Sequence, residues 1–313
     1  MDAGHAHHGH DATSGGAGVV DTSPGDHSTP VAAEWWILES VGPAVLVLTL
    51  TVYLLGVYRN RDRGPWAGWR TAVWIAGLTG VGVGWAGPLA EAARHDFTAH
   101  MVTHLLVGMI GPLLLVLAAP VTLALRTLPT AGARAVSAVL RSPPARVATH
   151  PVVAAVLNGG GLWLLYATGL FELMHRSTAL HVLVHVHVLL AGIAFTVAMI
   201  GPDPNPHRSS LRVRAAVLVL FIAAHSVLAK WLYAHPPVGV DPADARSGAQ
   251  LMYYGGDVVD LAILALLFAG WYPGSRFRPR LLPGNPARER REDRIGPTGQ
   301  ALESGHTDSG GAP

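Results

Sequence analysis

Residues 178–201 read TALHVLVHVHVLLAGIAFTVAMIG, an apolar run whose only ionisable side chains are His181, His185 and His187, all in its first half. A helix that crosses a membrane needs about 20 apolar residues, so this run is long enough to cross one. Ionisable side chains are costly in hydrocarbon and usually face the interior of a helix bundle. The run therefore predicts a membrane helix that carries a polar site in one half of the bilayer.

Six further apolar runs flank this one, and together they define the fold class. Half of the residues are hydrophobic and 13% are charged, whereas a typical soluble domain has about 25% charged residues. We therefore predict an all-α integral membrane protein with seven transmembrane helices. The third run contains Pro112 and Pro120, which predict a kink. The seven runs lie at about 34–58, 66–88, 97–125, 152–171, 178–201, 211–234 and 250–272.

The distribution of arginine predicts the orientation of the chain in the membrane. The first, third and fifth connections and the C-terminal tail are rich in arginine, whereas the other three connections hold one each, Arg94, Arg176 and Arg246. Cytoplasmic loops carry an excess of Lys and Arg, so the pattern predicts an outside N-terminus and a cytoplasmic C-terminus. The stretch 131–141 is an amphipathic candidate for a helix that lies on the inner surface.

The two ends of the chain differ in composition from the membrane domain, 34–272. Residues 1–33 predict a disordered, histidine-rich external tail that lacks the basic and apolar regions of a cleaved signal peptide. Residues 273–313 predict a disordered basic cytoplasmic tail. Histidine-rich tracts gather metal weakly, so the N-terminal tail is either a scavenging arm or a solvated segment without a role.

The absence of cysteine limits the chemistry that the chain can perform. With no cysteine, the protein has neither disulfides nor thiolate metal sites. Its seventeen histidines and six methionines are then the remaining soft or borderline metal ligands. A site for copper or a similar ion must therefore be built from imidazole and thioether groups.

Two histidine pairs share the same spacing at the same depth. His100 and His104 on the third span are four residues apart, as are His181 and His185 on the fifth, so each pair lies on one helical face. Neutral imidazole suits copper, zinc, iron and nickel. The bland alternative is that these histidines only hydrogen-bond between helices, as His187 is expected to do. The candidate metal ligands are His100, His104, His181 and His185, with His225, Met101 and Asp257 as further candidates.

The last span carries two carboxylates, Asp257 and Asp260, which need partners inside a membrane. One interpretation is an ion pair with Lys230 on the sixth span. Another is that Asp257 binds the metal, handles protons, or accepts a hydrogen bond that orients a ligating histidine. These interpretations remain open at the level of the sequence.

The membrane part resembles the multi-spanning CtaG-type cytochrome c oxidase assembly factors of bacteria. The likeness covers roughly 94–272, and its most specific parts are the His-Met-x-x-His motif at 100–104, the Leu-x-His motif at 183–185 and the Gly-Gly-Asp motif at 255–257. The resemblance implies a plasma-membrane protein without catalytic activity that supplies copper, as Cu(I), to a haem–copper oxidase. It implies oxidase subunits as partners, with a second copper chaperone as a further candidate and no nucleic acid.

Two other functions compete with oxidase assembly. A copper importer would need polar residues in the cytoplasmic half as well, and spans three and five have almost none there. A membrane cytochrome with two axial histidines would bind haem between paired helices, and a Soret band would reveal it. A cytochrome that moves electrons across the membrane would, however, need a second histidine layer near the inner side.

Overall fold

The computed structural model describes residues 30–270, with side chains from residue 41 onward. Throughout this part of the chain the secondary structure is helical and no strand occurs. The predicted tails, up to residue 29 and over 273–313, lie outside the described residues, and so does the histidine-rich stretch of the first. The all-α class predicted from composition is confirmed.

Fourteen α-helices follow one another over the described residues, joined by one short 3₁₀ helix and two π-helical segments. The α-helices are α1 Pro30–Arg59, α2 Gly68–Trp85, α3 Pro88–Ala92, α4 Phe97–His104, α5 Gly111–Leu117, α6 Pro120–Thr127, α7 Thr130–Leu140, α8 Pro143–Ala148, α9 Pro151–Ala155, α10 Gly161–Ala167, α11 Leu170–Arg176, α12 Thr178–Ile200, α13 Leu211–Ala234 and α14 Pro242–Ala269. The π-helical segments are Leu105–Ile110, between α4 and α5, and Val156–Gly160, between α9 and α10.

The number of helices able to cross a membrane is smaller than the sequence predicts. Within residues 30–270, five helical stretches are long and apolar enough to span, and a sixth qualifies if a bent pair counts as one. The predicted second span corresponds to α2, whose 18 residues include five glycines and Arg70, and it is not among them. Several membrane-spanning helices are thus present, whereas the count of seven and the orientation stay predictions.

Three boundaries differ from the predicted spans. The fourth span, predicted as one helix over 152–171, is bent by 80° between Ala167 and Leu170. Its turn is extended at Thr168, so α10 and α11 run in different directions. The last span begins at Pro242 rather than at 250, because the Asp241 side chain accepts hydrogen bonds from the first amides of the helix. The first helix begins at Pro30 rather than at 34.

The third span is the centre of the bundle. About 61% of its most apolar window is buried, against 33% or less in the other four spans. It packs against α2, α12 and α14, and small residues allow the close contacts: a Cβ added to Gly192 on α12 would overlap the Gly108 carbonyl. The predicted kink is present, because the chain turns through a left-handed conformation at Ala119 before Pro120 starts α6.

Two aspartates from distant parts of the sequence cap the helices of this central span. Asp244 accepts hydrogen bonds from the Phe97 and Thr98 amides at 2.6 and 3.0 Å and from the Thr98 hydroxyl at 2.6 Å. Asp203 caps α6 in the same way, through the amides of residues 121 and 122. Burial raises the pKa of Asp203 even though these hydrogen bonds lower it. Each cap ties one end of the central span to another helix or loop, which sets the depth of the histidines.

The amphipathic stretch predicted at 131–141 is a helix, α7, over Thr130–Leu140. None of its side chains is buried within the bundle. It joins the central span to the bent pair at the arginine-rich end of the molecule. A position on the membrane surface stays a prediction.

Candidate functional site

One end of the bundle collects the histidines, and we call it the histidine end. Helices α4 and α12 begin there with His100 and His181 in their first turns, and α11 ends there at Arg176. α13 runs the other way and places His225 in its last three turns. The predicted common depth of the histidines is therefore present in the fold.

The histidines separate into two groups. The rim cluster consists of His100, His175, His181 and His185. The core cluster consists of His104, His225 and Asp260. In the rim cluster exposure decreases stepwise, from exposed His175 through half-buried His181 and His185 to buried His100. In the core cluster every member is buried.

The rim cluster is a continuous chain of imidazole rings. The ring centroids of His181 and His185 are 4.2 Å apart, and those of His100 and His185 are 6.4 Å apart. His175 lies 6.2 Å from His100 and 6.5 Å from His181. Two rings that share an ion through nitrogens at about 2.0–2.1 Å have centroids roughly 5–6 Å apart. As they stand, no three His, Asp or Glu side chains in the described part of the chain converge on one ion.

Backbone carbonyls orient two of these rings. The Nδ1 of His185 lies 2.9 Å from the carbonyl oxygen of His181, and the Nδ1 of His175 lies 2.8 Å from that of Phe171. A carbonyl only accepts, so in each ring Nδ1 carries the proton and Nε2 presents its lone pair. Fixing the tautomer in this way is how proteins prepare histidine for metal binding.

A hydroxyl orients the third ring. The Nε2 of His100 lies 3.0 Å from the Tyr166 hydroxyl, which donates to the Met101 sulfur at 4.0 Å. The contact with Tyr166 occupies Nε2, which leaves Nδ1 as the nitrogen of His100 available to a metal. Met101 is fully buried in this network.

A cavity of about 20 Å³ lies between the two clusters. It is lined by His100, Thr103, His104, Val107, Leu165, Tyr166, Val184, His185 and Val188. A volume above about 10–15 Å³ holds one water molecule, and a bare metal ion is of similar size or smaller. The cavity therefore joins the deepest ring of the rim cluster to the first ring of the core cluster.

The core cluster contains polar atoms without partners. The His104 and His225 ring centroids are 6.3 Å apart, and His225 Nδ1 lies 3.8 Å from Asp260 Oδ2. That distance is too long for a hydrogen bond. Over the described residues, His104 Nε2, both His225 nitrogens and both Asp260 oxygens have no hydrogen-bond partner.

The two histidines of the predicted pair on the third span therefore belong to different clusters. The sequence placed His100 and His104 on one face, and both do line the same cavity. One helical turn apart, about 5.4 Å along the axis, they have different neighbours: His100 contacts His185 and His175, and His104 contacts His225. His187 points away, with its Nε2 3.1 Å from the Leu157 carbonyl oxygen.

The ion pair between Lys230 and a carboxylate of the last span, one of the interpretations that the sequence left open, is not formed in this structure. Lys230 is exposed, and its ammonium lies over the Tyr253 ring at 5.2 Å from the centroid. Among the described residues, no salt bridge joins Lys230 to Asp257 or to Asp260. Asp260 faces inward to His225, and Asp257 accepts from the Ser226 hydroxyl at 3.3 Å.

Sequence reasoning missed His175 and Tyr166 as members of the site. His175 lies after the bend of the fourth span, so its place in the rim cluster depends on a turn that the hydropathy pattern does not reveal. The motif Glu172-x-x-His175 at the histidine end of that span was the available signal. Tyr166 carried no signal, because a tyrosine near the end of a span usually reads as an interfacial aromatic.

A surface cavity of about 500 Å³ opens beside His175. Its walls come from the loop before α4, from α11 and from the connection between α13 and α14. Its charged side chains are mixed in sign, with Asp96, Glu172 and Asp241 among the carboxylates. It offers a solvent route to the most exposed ring of the rim cluster.

Comparison with known proteins gives one family and several relatives. The family model for the cytochrome c oxidase caa3 assembly factor matches residues 51–273. An uncharacterized protein of Mycobacterium leprae is 30% identical over 199 residues, which are 61% of this chain and 30% of that protein. Uncharacterized proteins of Mycobacterium bovis and Mycobacterium tuberculosis are each 31% identical over 204 residues, 63% of this chain and 31% of theirs. The chain thus spans about a third of the length of these relatives. No solved structure matches it.

Proposed function

Because the chain belongs to the cytochrome c oxidase caa3 assembly factor family, we propose that it binds copper through the imidazoles of its histidine end and supplies it to the copper centre of the oxidase. Membership of this family supports a role in oxidase assembly. The copper and its ligands are inferred from the chemistry of this chain's own residues.

The observation that supports copper binding is that hydrogen bonds orient three imidazole rings of the rim cluster and leave one nitrogen of each ring available to a metal. His175 and His185 present Nε2, and His100 presents Nδ1, because the other nitrogen of each ring is already hydrogen-bonded. Imidazole is a good ligand for copper, and a chain without cysteine has no softer group than imidazole and thioether to offer. Cu(I) binds to sites with few ligands, and we propose His100, His181 and His185 as its ligands.

The gradient of exposure suits a protein that passes its metal on. A closed cage of four ligands retains an ion, whereas a site with few ligands and an open position exchanges it. His175 is exposed and borders the surface cavity, so an ion can be exchanged there one ligand at a time. When bound, the ion would be released by the same route to an oxidase subunit docked at this end.

The proposed function requires the histidine end to face the outside of a bacterial plasma membrane. In our proposal α2 is a further span in addition to the five or six apolar ones, which gives seven and an outside N-terminus. The arginine-rich connections after α1, α6 and α12 then face the cytoplasm, in agreement with the positive-inside rule. The copper is thereby offered on the outer side.

The test uses purified full-length protein loaded with Cu(I) under reducing conditions. We expect the double variant His181→Ala, His185→Ala to bind copper at least about 10–100-fold more weakly, since even hydrogen-bond partners of ligands contribute that much. The matched control is His187→Ala, which lies on the same helix and points to Leu157 instead. Equal copper content in the double variant and the control would refute the proposed site.

A cellular measurement tests the second half of the proposal. Cells that depend on the double variant should assemble the oxidase polypeptide with too little copper and show low oxidase activity, whereas the control supports full activity. Added copper should partly restore activity if the defect is supply. A Soret band in the purified protein would instead favour the cytochrome interpretation.

A further inference from the structure

Asp260 is the least explained residue of the bundle. It lies in the middle of α14, and its side chain and that of His225 are each about 1% exposed. Neither carboxylate oxygen has a hydrogen-bond donor in the part of the molecule that the structure describes. A buried carboxylate without a partner is among the most costly groups in a protein, especially within a membrane span. An ionised Asp260 therefore requires a positively charged partner, and without one the carboxyl is held in its neutral, protonated form.

The spacing of the core cluster indicates what that partner is. Two ligands that share an ion through bonds of about 2.0–2.2 Å lie roughly 3–4 Å from each other. The 3.8 Å between His225 Nδ1 and Asp260 Oδ2 is within that range and outside the range of a hydrogen bond. His104 supplies the third donor, since its Nε2 is also unpartnered and its ring lies 6.3 Å from that of His225. As the side chains stand, the three do not converge on one ion, so binding requires the His104 and His225 rings to rotate toward Asp260.

We propose that His104, His225 and Asp260 form a second metal site, deeper in the bundle than the rim cluster, that takes a divalent first-row cation. Two imidazoles and a carboxylate are a donor set typical of divalent zinc, iron, cobalt or copper, whereas Cu(I) prefers softer ligands. The proposal is independent of copper supply, because His225 and Asp260 have no part in the rim cluster.

The charge of the surroundings supports a divalent ion. Asp257, one helical turn before Asp260, lies close enough to act electrostatically on both His225 and Asp260. Two carboxylates and one divalent cation carry no net charge together, which keeps the cost of burying the ion low. A monovalent ion would leave one negative charge uncompensated in the membrane.

The backbone is shaped to make room for the site. A Cβ added to Gly256 on α14 would overlap the His225 ring, so glycine at this position allows the imidazole to pack against the helix. The π-helical segment Leu105–Ile110 begins directly after His104. Such segments are rare and are frequently found at functional sites. The 20 Å³ cavity borders His104 as well as His100 and His185, so it lies between the rim cluster and this site.

The experiment uses Co²⁺ as a probe on full-length protein in detergent, in the His181→Ala, His185→Ala background that removes two of the four histidines of the rim cluster. We expect one Co²⁺ per chain, with visible absorption typical of a low coordination number. Adding Asp260→Asn or His225→Ala should weaken binding at least about 10–100-fold. The control Asp203→Asn changes a half-buried carboxylate at the other end of the bundle, whose hydrogen bonds are satisfied, and should bind Co²⁺ as the background does.

Stability provides a second readout. Co²⁺ should raise the unfolding temperature of the background and of the Asp203→Asn variant, but not that of Asp260→Asn, because a ligand stabilises only the state that binds it. If the background does not fold, the same comparison is made in the parent chain with its rim cluster first filled by Cu(I). Unchanged Co²⁺ affinity in Asp260→Asn and His225→Ala would overturn the proposal and leave the pair as a structural contact. Copper binding by the rim cluster is measured separately, so either proposal can fail alone.

Discussion

The rim cluster and the core cluster use the same side chain in opposite states. In the rim cluster, carbonyls and a hydroxyl occupy one nitrogen of His175, His185 and His100. In the core cluster, His104, His225 and Asp260 all retain atoms without partners in the described structure. A ring with one nitrogen satisfied tolerates an empty site, whereas an unpaired buried carboxylate does not. In our proposals the rim cluster therefore holds a metal reversibly, whereas the core cluster holds its metal more firmly.

The two clusters also differ in their exposure to solvent, which affects how fast a bound ion can exchange. Ligand exchange requires access of solvent or a competing ligand, and only the rim cluster has an exposed member, His175. The core cluster is buried, and the 20 Å³ cavity borders it at His104. We therefore expect an ion at the rim to exchange quickly and an ion in the core to exchange slowly.

The sharpest way to break this comparison is to remove the two histidines of α4 one at a time. His100→Ala should lower Cu(I) affinity by about 100-fold, or about 2.7 kcal/mol, and leave Co²⁺ binding in the core unchanged. His104→Ala should do the reverse. Metal titration of both variants tests this. If each substitution weakens both metals equally, the two clusters are one site and the comparison is wrong.

Crowding the core cluster should have the next largest effect. Gly256→Ala places a methyl group against the His225 ring, so it should lower the free energy of unfolding by about 1–3 kcal/mol and weaken Co²⁺ binding. Cu(I) affinity should stay at the parent value. The control is Gly80→Ala on α2, where an added Cβ would lie 3.7 Å from the nearest atom, Leu106 Cδ2. Equal losses in both variants would mean that His225 has no special need of space.

A smaller effect is expected from the hydroxyl that orients His100. Tyr166→Phe removes the hydrogen-bond partner of His100 Nε2 and frees the ring to rotate or to change tautomer. We expect Cu(I) affinity to fall about 10-fold, the lower end of the range for a hydrogen-bond partner of a ligand. Tyr254→Phe, at an exposed position of α14, is the matched control. An increase in affinity would show instead that the hydroxyl competes with the metal for Nε2.

Much of the helical scaffold was predictable, because hydropathy depends on an average over a whole segment. The third, fifth and sixth spans appear near their predicted positions, and the histidines share one end. The bend at Thr168 was not predicted, because the hydropathy of a segment depends on its composition and not on the direction of its helix axis. The early start of α14 left a local signal, Asp241 followed by Pro242, which is typical of a capped helix start.

The site itself was less predictable than the helices that carry it. Periodicity places His100 and His104 on one face, but the partner of each ring depends on which helix packs there. That packing is set by contacts such as Gly192 on Gly108, which no local pattern in the sequence identifies. His175 lies in the rim cluster because the fourth span is bent, and the Asp260 side chain faces His225 and not Lys230.

The smallest expected effect concerns Lys230, and it tests whether Asp260 needs a cation from the protein. If Lys230 only lies over the Tyr253 ring, Lys230→Met should cost at most about 1 kcal/mol of unfolding free energy. If Lys230 compensated a buried carboxylate, the loss would be about 3–5 kcal/mol. Unfolding with and without Co²⁺ separates the two. We expect the small value and an unchanged stabilisation by Co²⁺, because the charge of Asp260 is then offset by the metal between it and His225 and not by the exposed ammonium.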